Sequence, residues 1–183
     1  MERLSEMTSL LGGSGPPKVA VVVNEAPSRI NALLDSQVVD VVQLSGDERP
    51  SVIDLLAGPV WKTLRFPAGT ARDEALREVS QWLDRSSPVQ RVLIDAAVAG
   101  AYGGTGHRAD WTLAAGIAER YPVVLAGGLN PVNVGDAIGS VMPGGVDVSS
   151  GVERDGRKDH DRIRSFVKQA QAAFDHVEVS RRA

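Results

Sequence analysis

Two aspartates stand where buried strands should run or end. Asp95 closes the run Val92-Leu93-Ile94-Asp95, and Asp147 lies inside Val146-Asp147-Val148. A carboxylate taken out of water without a partner is costly, so each must pair, cap backbone N–H groups or titrate in a site. Asp95, at the carboxyl end of its run, suits general acid–base work better than loop capping. Asp147 fits a pocket residue and a structural hydrogen-bond acceptor equally well. Two glycine-bearing turns accompany them, Gly127-Gly128 after Val123 to Ala126 and Ser149-Ser150-Gly151 after Val148. Glycine lets the backbone approach a ligand closely, and N–H groups at the start of a helix attract anions. One such turn would read as a tight connection; the pair, on consecutive units, reads as a single phosphate cradle.

Other residues invite weaker readings. Tyr102-Gly103-Gly104-Thr105-Gly106 is the longest glycine-dense loop, either a flap over a ligand or an irregular connection. His107 beside it reads as a solvated loop histidine rather than a catalyst. Lys62 and Arg65 alternate with apolar neighbours in Val60 to Phe66. Lys62 either points into a pocket or caps the strand end. The mixed-sign run from Arg154 to Arg162 reads as a solvated loop followed by a helix start, and Trp61, Trp82 and Trp111 read as packing residues.

Positioning these groups requires strands and helices in alternation. Short β-branched runs at Val19 to Val23, Val39 to Leu44, Val60 to Phe66, Val92 to Asp95, Val123 to Ala126 and Val146 to Val148 predict six strands. Helical patterning covers Ser28 to Leu34, Ser51 to Leu56, Asp73 to Leu83, Thr112 to Arg120, Asn133 to Val141 and Asp159 to Phe174. Thr70 to Asp73 and Asn130 to Asn133 look like helix starts. Near-continuous apolar strands joined by helices predict a parallel sheet covered on its faces, with chemistry at the strands' carboxyl ends. No linker divides the chain. Gly12 to Pro17 reads as a loop between a short amphipathic segment (Leu4, Met7, Leu10, Leu11) and the first strand, so residues 1–183 are expected to form a single domain.

Composition narrows the function. The chain has 183 residues, 43% of them apolar and 4% aromatic, enough for a core of Val, Leu, Ile and Ala. Its 20 basic and 23 acidic residues leave a net charge of −3, which argues against nucleic acid or an anionic membrane as partner. There is no cysteine, and the three histidines (His107, His160, His176) are too scattered for a zinc cluster, so no metal is expected. No run approaches the length of a membrane span and the N-terminus does not read as a signal peptide, so the expected location is the cytoplasm.

The segments Ile94 to Trp111 (IDAAVAGAYGGTGHRADW), Val123 to Ile138 (VVLAGGLNPVNVGDAI) and Gly145 to Val167 (GVDVSSGVERDGRKDHDRIRSFV) resemble the last three βα units of phosphoribosylanthranilate isomerases. KVAVVVNEAP, DVVQLSGDE and VWKTLRF, in that order, are similar to earlier strands of the family. The resemblance spans nearly the whole chain. It implies a (β/α)8 TIM-barrel type of fold, with about six of the eight βα units present here. The implied reaction is a cofactor-free Amadori rearrangement in tryptophan biosynthesis, converting N-(5-phosphoribosyl)anthranilate to 1-(2-carboxyphenylamino)-1-deoxyribulose 5-phosphate. A general acid protonates the furanose ring oxygen, the ring opens to a Schiff base, and a general base removes the C2 proton. Carried onto this sequence, the acid is Asp95. Gly127, Gly128, Ser150 and Gly151 hold the phosphate, and Asp147, Gly104 and Lys62 contact substrate.

The sequence departs from the family pattern at two places. The family's opening KICG strand, whose cysteine is the general base, and the following arginine-bearing strand have no counterpart, and Ser45 stands in QLSGDE where the family has histidine. A barrel short of two strands exposes sheet edges. The expected explanations are a misassigned start or truncation, a missing quarter supplied by another chain or a dimer partner, or a remnant that binds a sugar phosphate without turnover. An active shortened chain would recruit Glu48, Asp47 or His107 as base.

Overall fold

The computed structural model describes residues 15–83, 88–96 and 110–182. The amphipathic stretch around Leu4 to Leu11, the Tyr102 to Gly106 loop with Gly104, and His107 lie outside these residues. Six strands appear at the predicted runs: β1 (Val19–Val22), β2 (Val41–Leu44), β3 (Val60–Phe66), β4 (Val89–Ala96), β5 (Val123–Leu125) and β6 (Gly145–Val146). They form one sheet in chain order. The β1/β2, β2/β3, β4/β5 and β5/β6 pairs are parallel, with Val42 opposite Val60 and Leu125 opposite Val146. Helices α1 (Pro27–Asp35), α2 (Arg72–Leu83), α3 (Trp111–Ala118) and α4 (Val134–Val141) connect successive strands, and α5 (His160–Arg182) ends the chain. This is the α/β order that a parallel sheet demands.

Four expectations need adjustment. The Ser51 to Leu56 helix is a 3-10 turn over Pro50–Leu55, entered at a proline that has no N–H to give. β6 stops at Val146, so Asp147 stands just past the strand rather than inside it, although its N–H still reaches Leu125 O at 2.9 Å. The supposed loop after Val152 is a hairpin of β7 (Glu153–Arg154) and β8 (Arg157–Lys158), turned by Asp155 and Gly156 at φ 52° and 73°. That positive-φ pair is the tight-turn geometry that antiparallel strands favour. The last helix also runs on well past Phe174.

The chain divides into two compact units, Met1–Thr63 with Ser80–Arg91, and Leu64–Val79 with Val92–Ala183. In the first, Ile30, Val42, Leu44, Val60 and Trp82 are fully or almost fully buried. In the second, Leu93, Ile94, Leu125, Ile117, Val134 and Ile138 form the core, and Phe166 and Ala170 of α5 are buried one turn apart. Asp110 starts α3 by accepting from the N–H groups of Thr112 and Leu113 at 3.0 and 3.1 Å.

Candidate active site

In the second unit, Asp95 is the penultimate residue of β4 and Arg65 the penultimate residue of β3. Arg65 Nη2 lies 3.4 Å from Asp95 Oδ2, with the two side chains only 15% and 13% exposed. Asp147 keeps access to solvent, yet protein atoms around its carboxyl desolvate it and the charge of Asp95 repels a second negative charge. Its pKa is therefore raised above the ordinary carboxylate value, against the pull of the Val148 N–H and the Lys158 ammonium. The two aspartates thus act electrostatically on one another, one at the end of β4 and one just beyond β6.

The two glycine turns follow β5 and β6, which are adjacent. Gly127 and Gly128 have φ of 83° and 64°, a region closed to most side chains. A Cβ on Gly151 would fall 1.7 Å from Leu129 O, so the second turn rests directly on the backbone of the first. Ser150 opens a 3-10 turn (Ser150–Val152), whose first N–H groups have no partner within the turn itself. The first loop is braced internally: Asn130 Oδ1 accepts from Val132 N and Asn133 N, and Asn133 returns bonds to Asn130 N and Gly128 O. The second is braced by Lys158 of the hairpin, whose ammonium reaches Ser149 O at 2.9 Å, Ser149 Oγ at 3.2 Å and Glu153 at 2.7 Å. The role of Lys158 escaped sequence reasoning because the hairpin that turns it back did.

The first unit accounts for Lys62. Alternation along β3 places Lys62 on the side where it meets Trp82 of α2, with Nζ 5.2 Å from the ring centre. The ammonium donates to Gly46 O at 2.6 Å and Glu48 Oε2 at 2.7 Å, and the Lys62 and Glu48 side chains are 3% and 4% exposed. Lys62, within β3, thus ties down the loop that follows β2. Glu48 also accepts from the N–H groups of Asn24 and Gly46. Burial opposes its ionisation, but the Lys62 hydrogen bond and charge, with the backbone donors, outweigh it and lower its pKa. A carboxylate held so firmly is a poor proton acceptor, which counts against Glu48 as the recruited base. Ser45 is buried and shares hydrogen bonds with Thr63 Oγ1 at 3.0 Å and Gln43 Nε2 at 3.1 Å. Trp82 is packed as expected, while Trp61 lies under the Arg91 guanidinium, 5.8 Å from its ring centre. Among the described residues no cluster of His, Asp or Glu is arranged to hold a metal ion, and no helix is long and apolar enough to cross a membrane.

Residues 4–169 match the family model described as N-(5'phosphoribosyl)anthranilate (PRA) isomerase. The chain belongs to the phosphoribosylanthranilate isomerase family. A member of that family from Roseiflexus sp. (strain RS-1) is 46% identical over 156 residues, which cover 85% of this chain and 70% of the relative. The crystal structure of phosphoribosyl anthranilate isomerase from Thermotoga maritima superposes with a TM-score of 0.76 at 33% identity, covering 93% of this chain and 80% of that one. Another isomerase structure, in complex with reduced 1-(o-carboxyphenylamino)-1-deoxyribulose 5-phosphate, has a TM-score of 0.70 at 30% identity and covers 93% of this chain and 79% of its own. The six-stranded parallel sheet is thus of the TIM-barrel type, and the chain is an isomerase of tryptophan biosynthesis by membership of this family.

Proposed function

We propose that the chain carries out the Amadori rearrangement of N-(5'-phosphoribosyl)anthranilate with Asp95 as general acid. The observation that carries this reading is the juxtaposition, within one unit, of two mutually interacting carboxyls and two glycine turns in direct backbone contact. The phosphate sits on the backbone of Gly127, Gly128, Ser150 and Gly151, where oriented N–H groups and absent side chains suit a dianion. Asp95 protonates the ring oxygen and the furanose opens to the Schiff base; loss of the C2 proton to a base then gives the enol, which tautomerises to the ketose. Asp147 orients sugar hydroxyls, accepting from them when ionised and able to donate when protonated. Gly104 and Lys62 contact substrate, and Lys62 also holds the loop after β2. No cofactor enters the scheme. The proposed setting is the cytoplasm, with the sugar phosphate as small-molecule partner and a second copy or complementing chain as assembly partner.

A second reading is sugar-phosphate binding without turnover. It is favoured by the engagement of Glu48 with Lys62, which leaves that carboxylate a poor base. The deciding experiment follows the loss of fluorescence of freshly generated phosphoribosylanthranilate with the native chain and with Asp95→Asn. Turnover that falls by about 10²-fold or more in the variant supports the isomerase with Asp95 as acid. No turnover from the native chain, alongside retained binding of product, supports the binding protein.

A further inference from the structure

We propose that Arg65 is the positioning residue of the general acid, its guanidinium holding one oxygen of the Asp95 carboxyl so that the other is presented to the substrate. The inference rests on the reading of Asp95 given above and extends it to a residue that sequence reasoning left without a role. Arg65 and Asp95 are each one residue from the end of neighbouring strands, at the level where a parallel sheet places its chemistry. The contact is between Nη2 and Oδ2 at 3.4 Å, and both side chains are largely withdrawn from water. In such surroundings charge pairing is screened less than at the surface, and a planar guanidinium restricts the carboxyl more than a flexible ammonium would.

The need for such a partner is visible in the charges around the acid. Asp147 bears on Asp95 with like charge, and Lys158 bears on Asp147. Two neighbouring carboxyls repel one another, and the Arg65 contact restrains the Asp95 side chain against that repulsion. Arg65 supplies the opposing charge at Asp95, as Lys158 does at Asp147. The arginine itself transfers no proton, so its contribution is one of geometry.

The test compares Arg65→Met and Arg65→Lys with the native chain. If Arg65 positions the acid, Arg65→Met lowers kcat by about 10²-fold with KM within about threefold, and Arg65→Lys recovers about tenfold of the loss. An independent readout is the 13C resonance of the Asp95 carboxyl carbon, identified by its disappearance in Asp95→Asn and compared between the variants at one pH. It shifts in Arg65→Met and much less in Arg65→Lys, because the guanidinium contact at 3.4 Å is lost in one and a cation is kept beside the carboxyl in the other. Unchanged kcat in Arg65→Met, or an unmoved Asp95 carboxyl resonance, overturns the proposal. If the native chain shows no turnover, the proposed isomerase reading falls separately, and the resonance alone decides whether Arg65 governs Asp95.

Discussion

At the scale of the residue, the charged side chains sort by what they touch. Lys62 and Glu48 are taken out of water together and satisfied together. Removing one leaves the other buried without its counter-charge, so Lys62→Met is expected to cost about 3–5 kcal/mol, read from urea unfolding. Asp147 is the opposite case. Its folded pKa is raised above the unfolded value near 3.8, so ionisation works against the fold, increasingly as pH rises from about that value through the raised one. Asp147→Asn removes this opposition. The variant should be more stable than the native chain at pH 7, with the gain shrinking to nothing near pH 3.5, as urea midpoints at the two pH values would show. On the proposed function its turnover should fall at the same time, the exchange of stability for activity expected of a strained site.

At the scale of the element, the phosphate turns and the hairpin separate site geometry from stability. Gly151→Ala has no room, because the new methyl would overlap Leu129 O, and the backbone of one turn must move off the other. The expected result is a rise in KM for the phosphorylated substrate of about tenfold or more, equivalent to about 1.4 kcal/mol. Gly156→Ala makes a useful contrast, since its φ is 73° but no atom lies within 4 Å of the added Cβ. That substitution should cost about 1–2 kcal/mol in thermal unfolding and leave KM unchanged. Sequence reasoning found the glycines through their place after apolar runs. It missed the hairpin because Arg154 to Lys158 carries no apolar alternation, and the turn is signalled only by Asp155-Gly156.

At the scale of the whole molecule, pH acts through the sum of such groups. Glu48 has a folded pKa below its usual value near 4.5, so its contribution is fully present above that pH and lost as pH falls through the folded value. The native chain should therefore lose stability below about pH 4.5 more steeply than Glu48→Gln, a difference measurable as converging urea midpoints on acidification. The βα order, the six strands, the five helices and the parallel sheet were all legible from the sequence, because β-branched runs and 3.6-residue patterning are local signals that burial reinforces. Asp95 and the glycine pairs were legible too, since a carboxylate or a glycine ending an apolar run conflicts with local preference. Partnership was decided only by the tertiary structure. That Lys62 meets Glu48 and Trp82, that Asp147 stands beyond its strand, and which cation faces Asp95 depend on residues more than a dozen positions apart. Strand register and the packing of one turn on another bring those residues together, and no local pattern encodes that distance.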